Sequence, residues 1–261
     1  MKIEKILAFI WLIIAAVLIF LFISFIKNDG ILNFKFNSKH PSESLASCFD
    51  LYDDESYTTD QITEFNINLD SEAIFFEISE NKDIKVEFYC DENHKPETSL
   101  NGTTLSIKSS RKHKHASKKH RKIVVYIPKD FIIDKLNIKV SSGSIYLTDC
   151  SINVFQSEIS SGVINGKAKI NEIHSVSSSG VTKLALLEPL TKDSSMSTSS
   201  GIIKLKIPSD SNLSIYHSVT SGIYNNKLQL DNKSNDADIL GTGDVKLHLS
   251  ATSGIIKINE D

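Results

Sequence analysis

The chain has 261 residues, 40% of them apolar and 23% charged, with a formal net charge of −3. That leaves room for one sizeable domain with appendages, and the apolar fraction excludes disorder throughout. Three cysteines, none in a CxxC spacing, exclude a disulfide scaffold, and eleven glycines with five prolines exclude a collagen-like or proline-rich protein.

Ile6 to Ile26 is an apolar run interrupted only by the uncharged Ser24. As a helix it spans roughly 30 Å, the thickness of a bilayer's hydrocarbon core. The small-x-small site that ends a cleaved signal peptide does not follow it, so the run reads as an uncleaved transmembrane anchor at residues 6–26. Residues 1–5, with Lys2 and Lys5, read as a short cytoplasmic tail. That orientation exports the rest of the chain, although Lys27, Lys35 and Lys39 on the far side weaken the positive-inside signal. The expected location is the cell membrane, single-pass, with an extracytoplasmic C-terminal domain.

Residues 27–60 read as a polar linker. The acidic stretch Asp50 to Asp60 has little periodicity, and its Asp50, Asp53, Asp54 and Glu55 lack the turn glycine and distal glutamate of an EF-hand loop. From residue 61 to 261 the pattern is all β. Ile84, Val86 and Phe88 alternate with Lys85 and Glu87, the period of a half-buried strand.

Between two strand candidates, Lys108 to Lys122 carries eight basic residues and no acid: Lys108, Arg111, Lys112, Lys114, Lys118, Lys119, Arg121 and Lys122. It reads as a long hairpin loop projecting from the sheet, and these eight are the candidate polyanion contacts. The available partners are an anionic envelope polymer or lipid head groups; a solvated loop without a ligand is the plain alternative. Specific nucleic-acid binding is not expected, because the loop has no aromatic residue to stack on a base.

An internal repeat fills the second half. Ser/Thr-Ser-Gly triplets end at Gly143, Gly162, Gly180, Gly201, Gly222 and Gly254, with a degenerate copy at Gly243. Apolar residues stand three and five positions before the glycine (Val140 and Ile138) and two and four after it (Ile145 and Leu147). From minus three to plus two is an odd step, so both sets share one core only if the chain turns at the triplet. The six glycines are therefore structural corners, where glycine supplies a positive φ and Ser or Thr bonds freed backbone groups into ladders. The expected fold is an all-β, solenoid-like stack of about 20 residues per turn behind a single N-terminal transmembrane helix. Ordinary hairpin turns in a β-sandwich are the alternative.

VVYIPKDFIIDKLNIKVSSGSIYL, followed by serial Ser-Ser-Gly corners, resembles the bacterial "putative adhesin" domain family of unknown function. Ile207-Pro208 before Thr220-Ser221-Gly222 repeats the Ile127-Pro128 element before Ser142-Gly143. The resemblance covers residues 120–261 well and 61–108 loosely, and it implies a β-solenoid-like domain of envelope proteins, often beside a membrane anchor. It brings no catalytic residue.

No GxSxG, HExxH or Walker motif is present, and the acids of the repeat share no register. The chain reads as a non-enzyme with no cofactor or metal: a membrane-tethered binding or scaffolding module. A regulatory component of an envelope-stress system, acting through a membrane protein partner, is the second reading. A polysaccharide-active β-helix is the third.

Overall fold

The structure, a computed structural model, describes residues 48–110, 120–233 and 237–260. The expected anchor at 6–26 lies outside the described residues, as do Arg111, Lys112, Lys114, Lys118 and Lys119. Among the described residues no helix is long and apolar enough to cross a membrane.

Among the described residues nineteen strands follow one another, with one 3-10 turn (Glu92–His94) between the fourth and the fifth. The first seven are β1 (Leu51–Tyr57), β2 (Glu64–Leu69), β3 (Ala73–Ser79), β4 (Ile84–Tyr89), β5 (Glu97–Asn101), β6 (Thr104–Lys108) and β7 (Lys122–Pro128). Then come β8 (Ile132–Val140), β9 (Ser144–Ile159), β10 (Val163–Ser177), β11 (Val181–Leu186), β12 (Ser194–Thr198) and β13 (Ile202–Ile207). The last are β14 (Leu213–Val219), β15 (Ile223–Asn226), β16 (Asn232–Lys233), β17 (Asp238–Leu240), β18 (Val245–Ala251) and β19 (Ile255–Glu260).

They form two walls of parallel strands. In the first wall the order is β6, β2, β8, the second half of β9, the second half of β10, β12, β18, β14. In the second it is β7, β3, the first half of β9, the first half of β10, β11, β13, β19, β15. A strand of the first wall, a corner, and a strand of the second wall make one rung. Alternate residues of both walls point into one continuous core, and Ile138, Val140, Ile145, Leu147, Ile203, Leu205, Leu247, Ile256 and Ile258 are all buried in it, with Val245 packed against its side. The odd spacing across the triplet is absorbed by the corner, as the sequence required.

Rung order departs from chain order at both ends. The β6/β7 rung stacks outside β2/β3, and β18/β19 inserts between β12/β13 and β14/β15. Antiparallel strands then cap each end: β5 on β6, β4 and β1 on β7, β17 and β16 on β14. Such caps shield edges that would otherwise recruit another chain.

Four expectations change here. None of the six corner glycines has a positive φ; that conformation belongs to Gly102, Gly241, Gly243 and Asp149. Glycine is needed instead for space. A Cβ at Gly162 or Gly254 would lie 2.6 Å from the carbonyl oxygen of the neighbouring corner glycine, at Gly180 2.7 Å, and at Gly143, Gly201 and Gly222 closer still to the equivalent carbonyl. That oxygen accepts the N–H of the residue after the glycine, as in Val163 N to Gly143 O at 3.0 Å, so the rungs cannot separate to make room.

The Gly243 copy is not a corner but a tight turn leading into β18. The corner serines are exposed, and their ladder runs through the backbone (Ser161 N to Ser141 O, 2.7 Å). Hydroxyl ladders lie just inside, Ser157 to Ser175 at 2.7 Å and Ser177 to Thr198 at 2.9 Å. Finally, residues 51–57 of the expected linker form β1, whose consecutive acids Asp53, Asp54 and Glu55 look like linker in composition. They are held by the antiparallel pairing with β4 and by Lys95, which contacts Glu55 at 2.9 Å and also Asp53.

Candidate functional site

The basic segment is not a hairpin loop. β6 and β7 do not pair with each other; they are the two halves of the end rung. Directly beneath is the corner Asp70-Ser71-Glu72, with Glu72 in the glycine position and 1% exposed. Glu72 Oε2 accepts from Ser109 Oγ at 2.5 Å, and Arg121 Nη2 lies 3.6 Å from Oε1 while donating to Ser71 Oγ at 3.1 Å. The Asp70 N–H donates to Ser109 Oγ at 2.8 Å. One buried carboxylate thus ties both roots of the basic segment to the stack.

Of the remaining expected contacts, Lys108 is exposed opposite Glu97 on β5, and Lys122 lies 4.1 Å from the centre of the Tyr89 ring. His120 forms an isolated parallel β-bridge with Cys48.

A second basic feature escaped the sequence reading. On the outer face of the second wall, Lys183, Lys204 and Lys257 are in register on three successive rungs. Lys167 and Lys206 stand in the next column, separated by Ala185, and Lys167 lies 3.5 Å from Asp149. Strand spacing places successive rungs about 4.8 Å apart. Beside the lysines runs a partly exposed apolar column, Val163, Val181, Ile202, Ile255 and Ile223. The signal was present as a lysine three residues after Gly180, Gly201 and Gly254.

The acids near β1 are already engaged. Hydrogen bonding by Lys95 holds the Asp53 carboxyl below its ordinary value. Burial pushes Glu55 upward, but bonds from Tyr57, Lys95 and Thr98 outweigh it and leave the pKa lowered. Among the described residues no cluster of His, Cys, Asp and Glu is arranged to hold a metal. Burial raises the thiol of Cys90 to about 11 and that of Cys150 to about 12, so neither is a nucleophile at neutral pH.

One line of side chains has the composition of a hydrolytic triad. Glu172 Oε1 is 2.7 Å from His174 Nε2, and His174 Nδ1 is 3.1 Å from Ser195 Oγ. It sits on the flat outer face of the first wall, where β12 is laddered on both sides by β10 and β18. Those ladders engage the strand's N–H groups, so none is left beside Ser195 to stabilise an oxyanion.

A two-walled parallel β-stack with glycine corners and antiparallel end caps defines the class. Residues 62–259 match the family described as Toastrack DUF4097, and the chain belongs to it. No curated protein matches. Among solved structures the chain is similar to a putative cell adhesion protein from Clostridium sporogenes, at 12% identity over 81% of this chain and 100% of that one, TM-score 0.48. It is also similar to a putative adhesin from Bacteroides fragilis (13%, 83% and 100%, TM-score 0.34) and a putative lipid binding protein from Parabacteroides distasonis (14%, 79% and 96%, TM-score 0.38).

Proposed function

We propose that the protein is a non-catalytic binding module, tethered to the cell membrane through residues 6–26, that holds phosphate-bearing envelope polymers or lipid head groups outside the cytoplasm. The observation that carries this reading is the lysine face: Lys183, Lys204 and Lys257 in one column, Lys167 and Lys206 in the next, with no acidic residue in either column from β10 to β19. A linear polyanion meets such a column with repeated charge contacts, each worth little alone and all weakened by salt. The basic segment adds charge, and its described flanks Ser109 and Arg121 both contact Glu72. A non-catalytic role fits a Ser195–His174–Glu172 line without oxyanion donors.

The test is binding of the full chain in nanodiscs to soluble polyphosphate and, separately, to anionic vesicles. Replacing Lys183, Lys204 and Lys257 with Gln is expected to weaken binding at low salt at least about tenfold, and raising salt is expected to do the same to the unaltered protein. Polyphosphate binding without vesicle binding selects the polymer; the reverse selects lipid. Binding indifferent to both salt and the lysines would overturn the reading.

A further inference from the structure

The outer face of the first wall is chemically unlike the lysine face. Its central row runs His174, Ser195, His248, Tyr216 on four successive rungs, and the row nearer the corners runs Val176, Ser197, Ser250, Ser218. The imidazole of His248 stacks on the Tyr216 ring, centroids 4.9 Å apart and planes 13° apart. His174 is fixed by its bonds to Glu172 and Ser195. Between these standing rings Ser195 has only a hydroxymethyl group, so a slot opens two rungs, or about 10 Å, wide. Ser195, Ser197, Ser218 and Ser250 floor a shallow hollow walled by His248 and Tyr216. Val176, 56% exposed, stands at its end.

We propose that this hollow is a glycan-binding site for an extended, uncharged oligosaccharide lying across the rungs. Each serine hydroxyl both donates and accepts, which suits a ligand whose own hydroxyls do the same in any orientation. The Tyr216–His248 pair offers rigid aromatic area for the C–H face of a sugar ring, at little entropic cost because its members already hold each other. Charge argues for neutrality: the lining of the hollow carries no Asp, Glu, Lys or Arg, and the nearby Glu172 is engaged by His174 and lies 3.7 Å from Lys192. A peptide added as a strand needs an unpaired edge, whereas the hollow lies on a sheet face: β12 and β18 are paired on both sides, and β14 is paired with β18 throughout and with β17 at Leu213–Ile215. An open hollow with a handful of hydrogen bonds gives dissociation constants of about 0.1–1 mM. This inference is independent of the polyanion reading and concerns the opposite wall.

The test uses the full chain in nanodiscs, titrated with neutral hexasaccharides of glucose, N-acetylglucosamine and mannose. At least one is expected to bind with an affinity unchanged between about 0.05 and 0.5 M salt. Tyr216→Ala should weaken it at least about tenfold, and Ser250→Leu, which fills the hollow, should abolish it. Both side chains point outward, so melting temperatures should stay near the parent's; should Tyr216→Ala melt early, Ser250→Leu decides alone. The Lys183, Lys204 and Lys257 variants should bind as the parent does. No binding by any hexasaccharide, or binding that survives Ser250→Leu, overturns the proposal. Salt-sensitive binding lost with the lysines would overturn it too, and would place the ligand on the other wall.

Discussion

Seven corners stack along one edge of this molecule, six ending in glycine and one in Glu72. Their flanks are equivalent: Ile67, Leu69, Ile74 and Phe76 stand around Glu72 as Ile138, Val140, Ile145 and Leu147 stand around Gly143, and all eight are buried. What differs is the neighbour. Each glycine lies against the backbone of the next corner, where a Cβ has no room. Glu72 lies instead against Ser109 and Arg121, which give its side chain partners. The residue at a corner is thus selected by the rung stacked on it, not by the turn it makes.

The largest expected effect tests that rule directly. Gly201→Ala must force a methyl into the Gly180 carbonyl and Thr198 Oγ1, at a cost of ~3 kcal/mol in urea unfolding. Gly102→Ala meets nothing within 4 Å and is opposed only by its φ of +58°, so ~1 kcal/mol is expected there. Equal costs at the two sites would sink the spacing argument.

Glu72→Ala comes next. It strands Ser109 and Arg121, so a loss of ~2 kcal/mol is expected, with faster tryptic cleavage after the basic residues of 111–119. Unchanged cleavage would mean the carboxylate does not hold the segment's roots.

Inside the corners two threonines make a smaller, opposed pair. Thr198 Oγ1 accepts from the Gly201 N–H at 2.8 Å, whereas Thr182 Oγ1 is buried without a hydrogen-bond partner. Thr198→Val should cost ~1 kcal/mol; Thr182→Val, nearly the same shape without the orphan hydroxyl, should gain about as much. Calorimetric melting shifts in the same direction would contradict this assignment.

The smallest effect concerns the cap strand β1. Asp53 and Glu55 are held below their ordinary values of 3.8 and 4.5, so their contacts with Lys95 are fully present above those values and are lost as pH falls through the depressed ones. Amide exchange of residues 51–57, corrected for intrinsic rates, should therefore lose protection in acid before the β8–β13 core does, and Lys95→Met should produce that loss at neutral pH. Uniform protection across the acid range would show that backbone pairing alone holds β1.

Much of this architecture was legible because period-two patterning reports burial whatever the partner strand is: the apolar set around the triplets led to the core and to the necessity of a corner. Three features were hidden for physical reasons. The Glu72 corner keeps the flanking register but lacks the Ser-Gly signature, since nothing forbids a side chain there. The lysine column is spread over rungs whose lysines are 21 and 53 residues apart in the chain, so no window of sequence contains it. The histidines and Tyr216 of the first wall meet only because β18 inserts between β12 and β14, which no local pattern announces.

That insertion also sets an order of events during synthesis. A chain leaving the ribosome can lay down the rungs from β8 to β13 as they emerge, each on the last. The β14/β15 segment, although made next, finds no seat, because the rung it rests on is built from residues 245–260. It must wait, apolar residues uncovered, until that later rung has slid in beneath it. At the usual pace of translation the delay is on the order of seconds. The wait makes residues 245–260 a latch: until they close, the far end of the stack, Tyr216 included, is unassembled.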